Sequence, residues 1–115
     1  VTLLQKQQKF SRLVAKLIQQ ANEMGYEVTL AEAHRPDFTA QKYKALGIGT
    51  ENSLHRLRLA IDINLFLDGK YLTRTEDHRP LGEWWEKQST EEYECAWGGR
   101  FGDGNHYSIS NSGVR

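Results

Sequence analysis

Four histidines, His34, His55, His78 and His106, are the side chains of this sequence best suited to bind a metal or move a proton near neutral pH. Any one of them alone is more simply a surface or hydrogen-bonded residue, but two have suggestive company. His55 stands in Ser53-Leu54-His55, just ahead of the apolar run Leu59-Ala60-Ile61-Asp62-Ile63-Asn64. A carboxylate such as Asp62 inside an apolar strand is costly to bury unless something pairs with it. Strand alternation puts Ala60, Asp62 and Asn64 on one face and Leu59, Ile61 and Ile63 on the other. Asp62 therefore points to a small, polar face. That face is either a site or a solvated sheet surface, and the residues alone leave both open. The second grouping is Asp103-Gly104-Asn105-His106. An aspartate three residues before a histidine, with a glycine between, lets both side chains converge where a turn meets a strand. An ordinary Asp-Gly turn followed by a strand histidine would look the same.

Together these residues have the inventory of a catalytic zinc site. Such a site uses three protein ligands and keeps one position open for water. Zinc lowers the pKa of its bound water to about 7, which makes hydroxide available at neutral pH. A carboxylate that does not ligate the metal can take the proton and return it to a leaving amine, a role worth about 10²–10⁴ in rate. In this inventory His55, Asp62 and His106 are the ligands and Asp103 is the base. The helical HExxH pattern of many zinc peptidases is absent.

The elements that must position these residues read as follows. Leu3, Phe10, Leu13, Val14, Leu17, Ile18 and Ala21 recur at helical steps over residues 2–24, with Gln7 on the same phase, and Gly25 stands where a left-handed cap is wanted. Tyr26 to Ala33 alternates like a half-buried strand and ends before Pro36. Thr39 to Leu46 is expected to form a short helix, followed by a loop through Gly47, Gly49, Asn52 and Ser53. Leu57 to Leu67 reads as a central strand. Asp68-Gly69 is a hairpin signal, with Tyr71-Leu72 as the return strand. Leu81 to Lys87 reads as a helix opened by Pro80. The end is expected to be loop-rich, through Trp97-Gly98-Gly99 and Gly102-Asp103-Gly104-Asn105, before a last short strand, His106 to Ile109. This order predicts an α+β fold with a small, mostly antiparallel sheet flanked by helices.

The pattern resembles a known family. Ser53-x-His55-x6-Asp62, followed by Trp97-Gly98-Gly99 and then Asp103-x-x-His106, is similar to the zinc D-alanyl-D-alanine carboxypeptidase and dipeptidase family, which includes phage L-alanyl-D-glutamate endolysins. Glu32-Ala33-His34-Arg35-Pro36 also looks like that family's E-x-x-R segment. The resemblance runs in order from about residue 26 to 109. It implies a hedgehog/DD-peptidase-like fold and Zn2+ held by His55, Asp62 and His106. It also implies that Asp103 is the general acid/base, that Arg35 orients substrate and stabilises the oxyanion, and that Ser53 supports the site or touches substrate. The implied partner is the peptidoglycan stem peptide, and the implied reaction is hydrolysis of its L-Ala–D-Glu bond. A D-Ala–D-Ala carboxypeptidase or dipeptidase is the first alternative, and a non-catalytic, zinc-containing binding domain the second. The sequence departs from the family pattern at Arg58, where glycine is usual, at Tyr107-Ser108, and at His34. If the family glycine adopts a positive φ, Arg58 strains the backbone or forces another path.

Composition narrows the field further. At 115 residues the chain is expected to form one domain, residues 1–115, and a monomer. Fifteen basic and fifteen acidic residues cancel, which argues against a generic nucleic-acid binder. Apolar runs of about four residues are too short for a membrane span. The opening VTLLQKQQKF does not read as a secretory signal peptide. With the endolysin resemblance, the expected location is the host cytoplasm before release to the cell wall. One cysteine excludes an internal disulfide. Cys95 lacks the flanking glycines of a nucleophile loop and is expected to be a small buried apolar residue. Of Trp84 and Trp85, adjacent on a helix, one is expected in the core. His78, in Glu76-Asp77-His78, is expected in a solvated charged loop, with a second cation site as the alternative.

Overall fold

A computed structural model describes residues 1–32 and 54–115 of the chain. Arg35, Ser53 and His34, with the helix expected over Thr39–Leu46 and the loop after it, lie outside the described residues. Helix α1 spans Leu3–Glu23. Thr2 caps it by a reciprocal arrangement: the Gln5 amide N–H donates to the Thr2 hydroxyl, and the Thr2 amide donates to the Gln5 side chain. Gly25, at φ +96°, takes the chain out of the helix in a conformation that glycine adopts without penalty. The apolar stripe Phe10, Leu13, Leu17 and Ala21 is the buried face of α1.

Strands β1 (Glu27–Glu32), β2 (Ala60–Leu67) and β3 (Lys70–Leu72) follow. A short 3-10 turn, Thr75–His78, leads into helix α2 (Arg79–Glu86), which carries Pro80 in its first turn. Strand β4 (Cys95–Trp97), a second 3-10 turn (Gly98–Phe101) and strand β5 (His106–Ile109) complete the described elements. The five strands pair antiparallel in the order β1-β2-β5-β4, with β3 also on β2. The β2–β3 hairpin turns on Asp68 and Gly69, both at positive φ, as a two-residue turn of matching twist requires. The result is the α+β fold with a small antiparallel sheet that the sequence predicts.

The described elements pack around one hydrophobic cluster. Leu17, Leu59, Ile63, Leu65, Leu81, Trp85, Trp97, Tyr107 and Ile109 are all fully buried. Trp85 anchors α2 to the sheet, because its indole N–H donates to the carbonyls of Ala96 and Ser108 on neighbouring strands. Trp84, its neighbour, is half-buried at the edge, as adjacent helix positions require. No described helix is long and apolar enough to cross a membrane.

Three expectations need correction. The central strand begins at Ala60 rather than Leu57, because residues 54–58 form a turn in which Arg58 sits at φ +57°. The stretch before His106 is not all loop: Cys95–Trp97 is a strand buried at every position, with no polar alternation to reveal it. His78 is not in a solvated loop. It is 3% exposed, turned inward by the 3-10 turn, with Nδ1 2.8 Å from the Tyr107 hydroxyl.

Candidate metal centre

β2 and β5 bring the centre together. Asp62 and His106 are direct cross-strand partners in the antiparallel register, so side chains on the same face must meet. His55 arrives from the turn ahead of β2. That turn is closed by Leu59 N–H donating to the Leu54 carbonyl (2.9 Å) and by the Arg58 N–H to His55 carbonyl contact (3.3 Å). Buried Leu54 fixes its base. From α1, Gln7 donates its side-chain N–H to the Leu57 carbonyl at 2.8 Å, which explains a polar residue on the helix's apolar phase. Arg58 takes the left-handed conformation with its side chain exposed. The backbone thus follows the path suited to glycine despite the arginine.

His55 Nε2 lies 3.3 Å, and His106 Nδ1 3.4 Å, from Asp62 Oδ1. Asp62 Oδ1 is buried yet accepts no hydrogen bond among the described residues. Three lone-pair donors therefore converge on one point. Donors held tetrahedrally at about 2.0–2.1 Å from zinc are about 3.3–3.4 Å apart, the separation of Asp62 Oδ1 from each of the two imidazole nitrogens. The three side chains fit a metal ion. Burial alone would raise the Asp62 carboxyl, but the ring nitrogens of His106 and His55 against it outweigh burial and hold it at about 2.

Asp103 comes from the loop between the second 3-10 turn and β5. Its Oδ2 lies 4.0 Å from His106 Nδ1, and its side chain is 53% exposed. It stands beside the cluster and outside it. The Trp97-Gly98-Gly99 motif builds this loop. Trp97, fully buried, donates its indole N–H to the Gly104 carbonyl at 2.7 Å, one residue past Asp103. The Asp103 N–H donates to the Gly98 carbonyl (2.8 Å), and the His106 N–H to the Asp103 carbonyl (3.1 Å). A Cβ at Gly98 would overlap the Asp103 carbonyl and the His106 Cβ, so only glycine lets the Asp103 loop and His106 approach this closely. The guanidinium groups of Arg79 and Arg100 lie 5.4 Å from the Trp97 ring, and Arg100 is held by a two-bond pair to Glu86 of α2.

The sequence singles out His55, Asp62 and His106 as ligands and Asp103 as their neighbour, and the structure brings all four together. Two supports are not visible in the sequence. Tyr107 is fully buried behind His106, and burial pushes its phenol far above the usual range. Its hydroxyl meets His78, whose imidazole burial lowers to about 4. Cys95 is buried, as expected of a small apolar residue, and burial raises its thiol to about 11, away from the thiolate form.

A family model described as D-alanyl-D-alanine carboxypeptidase matches residues 47–109, more than half of the chain and all four residues of this centre. No curated protein matches the chain.

Proposed function

Because the chain belongs to the D-alanyl-D-alanine carboxypeptidase family, we propose that it is a zinc-dependent peptidoglycan peptidase that hydrolyses a stem-peptide bond, L-Ala–D-Glu by the endolysin resemblance. The observation that carries this reading is the convergence of His55, Asp62 and His106 within 4.8 Å of one another, with Asp103 beside them. In this reading the first three residues are the zinc ligands. Zinc held there would supply an acidic bound water of pKa near 7 and a Lewis-acidic positive charge. Asp62 brings one negative charge, and the neutral imidazoles bring none, so the centre keeps a net charge of about +1. Asp103, half exposed, takes the proton of the attacking water and returns it to the departing amine. The Ile63 N–H donates to the Asn105 carbonyl at 3.0 Å and ties the chain between Asp103 and β5 to β2. Arg35, outside the described residues, is the cation assigned to the developing oxyanion. Ser53, also outside them, is assigned to the substrate side of the His55 turn.

The family description itself favours a second reading, a D-Ala–D-Ala carboxypeptidase. Mass spectrometry of soluble products from purified peptidoglycan, with and without chelator and added zinc, separates the two. Chelator-sensitive release of peptides with a new N-terminal D-Glu supports the endopeptidase. Release of D-Ala alone moves the assignment to the carboxypeptidase. No product from protein holding one zinc per chain refutes both and leaves a binding domain.

A further inference from the structure

β3 and β5 lie on the same edge of β2. β1 takes the other edge from Asp62 to Phe66, β5 pairs with residues 60–62, and β3 pairs with residues 65–67. The interval between β3 and β5 opens into a cleft of about 210 Å³. One wall is the chain leaving β3, through Arg74 and Thr75. The other is the loop that carries Asp103. Asn64, two residues from Asp62 on the same face of β2, also lines it, so the cleft and the metal centre share one side of the sheet.

Apart from the Asp103 carboxylate at the metal end, the polar side chains around this cleft offer hydrogen-bond donors. The Tyr71 hydroxyl donates to Asn64 Oδ1 (3.2 Å), and the Asn64 amide donates one N–H to Thr29 (3.2 Å), which fixes the amide and leaves its second N–H. His78 is buried with Nδ1 committed to the Tyr107 hydroxyl, so Nε2 is the ring nitrogen left to serve the cleft. With the Tyr107 O–H as donor, that nitrogen carries the proton. Arg74 is 82% exposed, and its Nε lies 4.0 Å from Asp77, a loose pairing that leaves guanidinium N–H groups for a ligand. The set suits a group rich in acceptors and negatively charged.

Asp103 belongs to both the centre and the cleft, and this sets the direction of the substrate. That direction rests on Asp103 being, as proposed above, the group that protonates the departing amine. The residue bearing that amine must then lie on the Asp103 side of the metal, which is the cleft. In either candidate bond, L-Ala–D-Glu or D-Ala–D-Ala, the carbon bearing the amine also bears a free carboxylate, because D-Glu continues the stem peptide through its γ-carboxyl. A carboxylate two bonds from the leaving nitrogen stays within a cleft of this size. We propose that the cleft between β3 and β5 is the subsite for the residue on the amine side of the scissile bond, and that Arg74 recognises that residue's free carboxylate.

The test uses zinc-loaded full chain, wild type and Arg74→Gln, with two ligand pairs: D-alanine against D-alaninamide, and γ-D-glutamyl-L-lysine with its α-carboxylate free or amidated. Binding is read from amide chemical shifts of Gly102–Asn105, and cleavage from matched longer peptides. One of the acids binds wild type about ten-fold or more tightly than its amide, the size expected of a charge-assisted contact. Arg74→Gln removes that preference and changes amide binding less than two-fold. For a cleaved substrate, the loss appears in KM rather than kcat. If no peptide is hydrolysed but acid preference and its dependence on Arg74 persist, the subsite stands and the activity assignment falls. If peptides are hydrolysed with no acid preference, or Arg74→Gln weakens acid and amide alike, the subsite is overturned and the activity stands. Failure to bind either acid also overturns it.

Discussion

Replacing Arg58 by glycine should make this protein more stable. Arg58 lies at φ +57°, in the turn that delivers His55 to the metal centre. An L-residue in that conformation costs about 1–2 kcal/mol relative to its right-handed state, and glycine is spared the cost. Glycine also frees the unfolded chain, which returns about 0.4–1 kcal/mol. The arginine side chain is exposed, so its removal uncovers no core. The net expectation for Arg58→Gly is a gain of about 0.5–1 kcal/mol, or about 2–5 °C in midpoint for a chain of this length. Arg58→Ala is the control. It removes the same side chain, keeps the strained φ, and should stay within about 0.5 kcal/mol of wild type. Urea and thermal unfolding of the three proteins decide the matter. A midpoint for Arg58→Gly at or below wild type would refute the reasoning, as would an equal gain in Arg58→Ala. Zinc affinity should be the same in all three, since the turn keeps its path.

Two further predictions concern the supports of the centre. Trp97→Phe removes the N–H that meets the buried Gly104 carbonyl; the lost bond alone should cost about 1–3 kcal/mol, and zinc affinity, read by competition with a chromophoric chelator, should fall with it. His78 gives stability a pH dependence. Its native imidazole resists protonation until about pH 4, whereas the unfolded one binds a proton from about 6.5. The unfolded state therefore holds more protons in that window, and the contribution present above pH 6.5 is lost as pH falls towards 4, about 3 kcal/mol in all. Denaturant unfolding of wild type and His78→Gln over pH 4–7 should show the steeper decline in wild type, and parallel curves would refute the assignment.

The strongly periodic parts of this fold and the residues that gather at its candidate metal centre were legible in the sequence. Helix α1 was legible because its stripe runs over 21 residues between a capping threonine and a glycine. The hairpin was legible because Asp68-Gly69 demands one backbone geometry. The residues that could hold a metal were legible because an aspartate inside an apolar strand, with histidines before and after it in the right order, matches the donor set of a zinc centre. What stayed hidden depends on contacts between distant segments. β4 is three residues long and buried throughout, so it has no pattern of its own. His78 follows two acidic residues, and only its partnership with Tyr107, 29 positions away, explains why it points inward. The glycine at 98 was visible as part of a motif, but its reason is the backbone of Asp103 and the Cβ of His106. The cleft exists because two strands share one edge of β2, which no local stretch reveals.

The central claim is that His55, Asp62 and His106 hold one zinc while Asp103 moves the proton. Zinc content and peptidoglycan turnover measured on the same preparation of Asp103→Asn test it most directly. The account predicts one zinc per chain and turnover reduced by about 10²–10⁴. Turnover near wild type would show that Asp103 is not the base, and loss of zinc would show that it belongs to the ligand set.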